Sequence, residues 1–326
     1  MPWFDLPEDQ LRAYRISTTE PDGLDAWWAA RLDEARAAAT PPTFTRYAEE
    51  AYGPVEVYDV EFSGARGDRI RAWFLRPAQG TTTGPVPVAV TFIGYGGGRG
   101  VPYEHLACPA VGVAAFVMDT RGQGGRWTIG ATGDPGRTSD GPEYPGVMTR
   151  GIMRPETYYY TRLYADALRA VEVATELPGV DGDRLAVCGT SQGGGLALAT
   201  AALAPDRVRV CQANVPFLCD FRRAIGLSPT YPYKEIADFL AQQVDVLDAA
   251  LDTLRYVDCA LLARRITADC LLSVGLMDEI CPPSTVFAAY NEVPGNKEIA
   301  VYPFGVHDLP LRHHERQLRH LRERLG

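Results

Sequence analysis

Hydrophobic and polar positions along this 326-residue chain follow two periods in succession. A charged, Ala-rich stretch from Asp25 to Ala39 repeats its apolar positions every three to four residues and predicts an amphipathic helix. VEVYDVEF (55–62) and IRAWFL (70–75) then alternate apolar and polar residues around SGARGDR, which predicts a hairpin. Six short, almost continuous apolar runs follow: VPVAVTFI (86–93), GVAAFVMD (112–119), RLAVCG (184–189), RVRVCQAN (207–214), CLLSVG (270–275) and KEIAVYPF (297–304). Runs of this kind fit parallel strands covered on both faces. Helical periodicity separates several of them, over Tyr158 to Leu177, Gly193 to Ala204, Pro283 to Tyr290 and Leu311 to Arg324. An antiparallel start followed by repeated strand and helix units predicts an α/β fold with one mainly parallel sheet between two helical layers.

Two connections are too long for simple loops. Residues 122–156, rich in Gly, Pro, Asp and Arg, and residues 215–265, with helical character near Lys234 to Leu254, read as insertions that shape a pocket at the carboxyl edge of the sheet. No repeat or low-complexity linker divides the chain, so residues 1–326 are expected to form a single domain.

Composition narrows the partners. Lys plus Arg total 32 against 41 Asp plus Glu, and a formal charge of −9 argues against a nucleic-acid surface. The opening MPWFDLPEDQ has no basic n-region and no apolar h-region, and the longest apolar runs are strand-sized; the expectation is a soluble, cytoplasmic protein without a membrane partner. The seven cysteines contain no C-x-x-C and sit mostly in apolar runs, as buried free thiols do. No Cys/His pairing has metal-ligand spacing, so neither a metal nor a cofactor is expected.

The candidate chemistry begins at Gly189-Thr190-Ser191-Gln192-Gly193. This G-x-S-x-G lies between the apolar strand RLAVC and the helix former GGLALATAAL. A nucleophile elbow needs that context: a sharp strand-to-helix turn presents the serine hydroxyl, with glycines where a Cβ would collide. A glycine-rich packing turn with a solvated serine is the plain alternative. Gln192, on the first turn of the helix, would offer a backbone N–H to an oxyanion.

A serine hydroxyl needs a general base that is itself oriented by a carboxylate. Asp278 after CLLSVG and His307 after AVYPF follow Ser191 in the order acid, then histidine, and both stand where carboxyl-edge loops begin. His313, His314 and His320 read as a solvated face of the terminal basic helix, and His105 precedes the serine. Glu279 and Asp308 are rival carboxylates by charge; strand-end position favours Asp278. The second oxyanion donor is expected from the glycine-rich loop Phe92 to Gly98, at the N–H of Tyr95.

With these motifs the chain resembles the acetyl xylan esterases and cephalosporin C deacetylases, carbohydrate esterase family seven. The similarity runs through nearly the whole chain, in DTRGQGG (119–125), MTRGIMRPETYYYTRLYADALRAVE (148–172), GTSQGGGLALA (189–199), NVPFLCDFRRAI (214–225) and VGLMDEICPPSTVFAAYN (274–291). It implies an α/β-hydrolase with Ser191, Asp278 and His307 as triad and the Tyr95 and Gln192 amides as oxyanion hole. It also implies an acetyl pocket lined by Tyr95, Phe217, Pro232 and Ile280, with Arg121 and Gln123 supporting the active-site loops. A homohexamer acting on small acetylated substrates, such as oligosaccharides or cephalosporin C-type esters, follows from the same resemblance. The chain departs from the family at His307-Asp308-Leu309-Pro310, where His-Glu-Gly is usual, and at Ile93-Gly94, where His-Gly is common. A carboxylesterase for longer acyl chains and a non-catalytic hydrolase-like scaffold are the alternatives.

Overall fold

A computed structural model describes residues 5–135 and 145–326. Nine strands hydrogen-bond into one sheet: β1 (Thr43–Arg46), β2 (Val55–Ser63), β3 (Arg69–Pro77), β4 (Val86–Phe92), β5 (Ala114–Met118), β6 (Val180–Thr190), β7 (Val210–Asn214), β8 (Asp269–Gly275) and β9 (Lys297–Tyr302). Their spatial order is β1-β2-β3-β5-β4-β6-β7-β8-β9. β1, β2 and β3 pair antiparallel, β3 pairs antiparallel with β5, and every pair from β5 to β9 is parallel.

The helices are α1 (Glu8–Ala13), α2 (Leu24–Ala37), α3 (Ala107–Ala110), α4 (Tyr159–Thr175), α5 (Gln192–Leu203), α6 (Phe221–Leu227), α7 (Tyr233–Gln242), α8 (Leu247–Arg255), α9 (Cys259–Leu262), α10 (Pro283–Glu292) and α11 (Leu311–Leu325). The continuous apolar runs are buried on both faces: all of β5 and β7 is inaccessible to solvent. One large core joins the sheet to α2, α4, α5, α9 and α10. On the opposite face Leu321 and Leu325 of α11 pack on Ala89, Val113, Ala186 and Val210.

Most expected elements stand within a few residues of their predicted limits. The exceptions have local causes. β1 is short and exposed along its whole length, so no buried alternation marks it. The helical stretch expected near Lys234 to Leu254 is two helices, because Gln243 leaves the helical region at φ −102°, ψ 60°. His313 and His320 do not lie on a solvated face: they are 1% and 8% exposed. Their side of α11 meets the ends of β7 to β9, which a basic composition conceals. Residues 136–144 of the long 122–156 excursion lie outside the described residues.

Candidate active site

The serine turn is built by backbone. Ser191 joins β6 directly to α5 with φ 59° and ψ −119°, a conformation that costs energy for any residue with a Cβ. Its N–H donates to the Asn214 carbonyl at 2.9 Å, and its own carbonyl accepts from Gly195 N at 3.0 Å and Phe217 N at 2.9 Å. The glycines of the motif are needed for space. A methyl group on Gly189 would overlap the Gly193 backbone, and one on Gly193 would overlap the Phe92 carbonyl. The turn therefore brings the end of β4 against the start of α5.

Asp278 follows β8 and is 1% exposed. One carboxylate oxygen accepts the N–H groups of Ile280 at 2.8 Å and Cys281 at 3.0 Å, and the other accepts from His307 Nδ1 at 2.8 Å. An acceptor-only partner at Nδ1 keeps the proton there and leaves Nε2 with its lone pair. The loops carrying the two residues are stitched together by Leu276 N to Tyr302 O at 3.0 Å and Met277 N to Gly305 O at 2.9 Å. The Cys281 sulfur lies within 4.8 Å of both the Asp278 carboxylate and a His307 nitrogen. Asp278 and His307 are thus directly bonded, while no hydrogen bond joins the Ser191 hydroxyl to His307 among the described residues.

The loop after β4 is held from outside. Tyr95 and Gln192 each have a backbone N–H without a hydrogen-bond partner among the described residues. The next peptide is clamped at both ends, its carbonyl accepting from Trp127 Nε1 at 2.8 Å and its N–H donating to Gln123 Oε1 at 2.6 Å. The Gln123 amide donates to Gln192 Oε1 at 3.0 Å and to the Tyr159 hydroxyl at 2.9 Å, and Gln192 Nε2 donates to the Ile93 carbonyl at 3.1 Å. These bonds tie the two free N–H groups to one frame at the N-terminus of α5, where the helix dipole favours negative charge.

A family model for acetyl xylan esterases, AXE1, matches residues 1–324. The chain belongs to the acetyl xylan esterase family. An acetyl xylan esterase from Paenibacillus sp. R4 superposes with a TM-score of 0.91 at 35% identity, covering 98% of this chain and 100% of that one. Acetyl xylan esterase 1 from Thermoanaerobacterium sp. JW/SL YS485 gives 0.89 at 34% identity over 99% and 100%. The acetyl esterase Axe7A of Xylanibacter ruminicola is 28% identical over 301 residues, 89% of this chain, which spans 64% of that protein's length. The fold is the α/β-hydrolase fold, and membership makes the chain a carboxylic ester hydrolase.

Of the residues expected to line an acetyl pocket in this acetyl xylan esterase family member, Phe217 bonds to the serine turn through its N–H and Ile280 to the Asp278 carboxylate, while Tyr95 and Pro232 stand on separate loops. Phe217 is fully buried, and its ring centroid stands 4.1 Å from that of Tyr233. Pro232 precedes Tyr233 after a cis peptide bond, and its loop is tied to the Asp278 loop by Ser228 Oγ donating to the Glu279 carbonyl at 2.7 Å. Ile280 follows from the same loop. The Tyr95 hydroxyl donates to Glu235 Oε1 at 2.6 Å and accepts from Val147 N at 3.0 Å; Glu235 Oε2 accepts from Met148 N at 3.1 Å. Burial raises both the Tyr95 phenol and the Glu235 carboxyl above their ordinary pKa values.

Sequence reasoning missed Glu235, Trp127 and Cys281, which carry no local motif and acquire their neighbours only through the fold. Arg121 supports the same loops from inside. Fully buried, it holds Asp166 through Nε at 2.6 Å and Nη2 at 2.7 Å, and Asp68 at 2.9 Å, while Tyr159 donates to its carbonyl at 2.6 Å. His313 sits behind the serine turn: Nδ1 accepts from the Tyr302 hydroxyl at 2.8 Å and Nε2 donates to Asn214 Oδ1 at 2.8 Å. Burial pushes its pKa down to about 4, so it is neutral near pH 7. Among the described residues no helix is long and apolar enough to cross a membrane.

Proposed function

We propose that the protein hydrolyses acetyl esters of small carbohydrates, with cephalosporin C-type esters in its range, through an acetyl-Ser191 intermediate. The observation that carries this reading is the bonded Asp278–His307 pair together with a serine held at φ 59° between β6 and α5, and unpartnered N–H groups at Gln192, next to it, and at Tyr95 on the loop after β4. His307 Nε2 takes the Ser191 proton as the oxygen attacks the acetyl carbonyl, and Asp278 stabilises the imidazolium. The Tyr95 and Gln192 N–H groups receive the oxyanion. The C–O bond to the sugar then breaks, and His307 returns its proton to the leaving alcohol. Water, deprotonated by His307, releases acetate and restores Ser191.

Tyr95, Phe217, Pro232 and Ile280 are proposed as the walls that admit a methyl group and exclude longer chains by overpacking. Ser191→Ala is expected to lower turnover of p-nitrophenyl acetate by roughly 10⁴-fold or more without unfolding the protein; full activity would falsify the assignment. Rates that rise from acetate to butyrate and octanoate would favour a carboxylesterase for longer chains.

We read residues 1–326 as one domain with insertions at 122–156 and 215–265, supported by the unbroken nine-stranded sheet. A cytoplasmic location fits seven free thiols, with Cys211 and Cys270 directly opposed on β7 and β8 yet unbridged. A homohexamer fits the exposed apolar side chains Trp127, Ile129, Phe304 and Leu311, and a monomer by light scattering would contradict it.

A further inference from the structure

Cys281 is a buried nucleophilic group that the hydrolytic mechanism leaves unused. It is 0% exposed, and burial and the neighbouring Asp278 charge keep its thiol protonated. Its sulfur, an Asp278 carboxylate oxygen and a His307 ring nitrogen lie within 4.8 Å of one another. Ligand atoms on a tetrahedral zinc ion stand about 3.3–3.8 Å apart, given bonds of about 2.0–2.3 Å, so a small side-chain adjustment brings all three onto one cation. One sulfur, one imidazole nitrogen and one carboxylate oxygen form a donor set that zinc accepts and that harder cations do not prefer.

We propose that Asp278, Cys281 and His307 form an inhibitory site for a thiophilic divalent cation such as Zn²⁺. Three protein ligands leave a fourth position open for water. The entry path is past His307, whose side chain is 24% exposed, whereas Asp278 and Cys281 are closed to solvent. On binding, the Cys281 thiol proton leaves to solvent and the sulfur coordinates as thiolate. Coordination through His307 Nδ1, the nitrogen facing Asp278, moves the imidazole proton to Nε2. Coordination through Nε2 occupies its lone pair. In either case His307 can no longer accept a proton from Ser191. The loss of activity rests on the proposed roles of Ser191 and His307; cation binding itself does not.

The test uses the full chain as wild type, Cys281→Ser, Cys281→Ala and Ser191→Ala. ZnCl₂ is titrated into p-nitrophenyl acetate assays and reversed with EDTA, and Co²⁺ binding is read from the thiolate-to-cobalt charge-transfer band. The expected result is reversible inhibition of wild type and a cobalt band in wild type and Ser191→Ala that is missing from both Cys281 variants. The zinc concentration for half-inhibition should rise at least about tenfold in Cys281→Ser, since even losing an outer partner of a ligand costs about that much affinity. Equal inhibition of wild type and Cys281→Ser, or no cobalt band in wild type, overturns the proposal. If the Cys281 variants do not fold, the band in Ser191→Ala decides: its presence at one equivalent supports the site and its absence removes it. A cobalt band without hydrolytic loss in Ser191→Ala would preserve the cation site and sink the serine assignment.

Discussion

The serine turn and the loop after β4 face each other across the site, yet they are held in place by opposite means. The turn from Gly189 to Gly193 is fixed by backbone: its neighbours approach too closely for a Cβ, and its hydrogen bonds run to the main chain of β7, of Phe217 beyond it and of α5. The Tyr95 loop has little of its own to fix it. Trp127 and Gln123 clamp one peptide, and Glu235 anchors the Tyr95 ring; all three arrive from the two long excursions or their approaches. A local device tolerates no change in itself and many changes elsewhere. A device held from outside is undone from a distance as well: even the close approaches at Gly97 and Gly98 are to Trp127 and the Gly130 backbone, which the first excursion supplies.

The largest effect that separates them is expected from Gly193→Ala. The added methyl overlaps the Phe92 carbonyl, a backbone atom that cannot swing aside, so the cost should reach or exceed about 3 kcal/mol, at the upper end for overpacking. Urea unfolding and esterase assays should register the loss together; a stable, active variant would show that the turn is not locked by space.

Next comes the remote prop behind the serine turn. His313 is buried with its pKa lowered to about 4, below the roughly 6.5 of an unfolded histidine. The unfolded chain therefore binds the proton first. Stability from this residue is fully present above about pH 6.5 and is lost as pH falls through about 4, by up to roughly 3 kcal/mol. Urea midpoints measured between those pH values should fall less steeply in His313→Gln, which can still donate to Asn214. Parallel profiles would remove this prop.

For the loop after β4, Gln123→Ala is expected to lower kcat by about tenfold to hundredfold, less than loss of an oxyanion donor itself, with little change in unfolding midpoint. A proportionate rise in KM at constant kcat would move Gln123 from positioning to binding. The smallest effect is expected from Glu235→Gln. It keeps one acceptor for the Tyr95 hydroxyl or the Met148 N–H but not both, so activity should fall less than about tenfold. The ratio of acetate to butyrate turnover should drop as the Tyr95 wall loosens. An unchanged ratio would show that Glu235 does not set the pocket.

These two loops also show why some of the site was legible in the sequence. G-x-S-x-G between a strand and a helix is a local pattern because the turn's constraint is local, and Asp278 and His307 stand at strand ends that periodicity already marks. Glu235 lies 140 residues from the ring it anchors, and nothing near either residue announces the pair. The terminal helix misled for the same reason. Its basic composition suggests a solvated face, while His313 is placed by the Tyr302 hydroxyl and the Asn214 side chain.

The sequence by itself marked eight of the nine strands, the longer helices between them, the parallel sheet and the place of the serine turn. These depend on which residues prefer water and on where a Cβ cannot fit, and both are properties of adjacent positions. Only the tertiary structure decided how Tyr95 is held, that His313 is buried and neutral, and that Asp278, Cys281 and His307 share one small volume. Those outcomes follow from the register of strands and the docking of excursions, which bring together residues whose separation along the chain carries no signal of their contact.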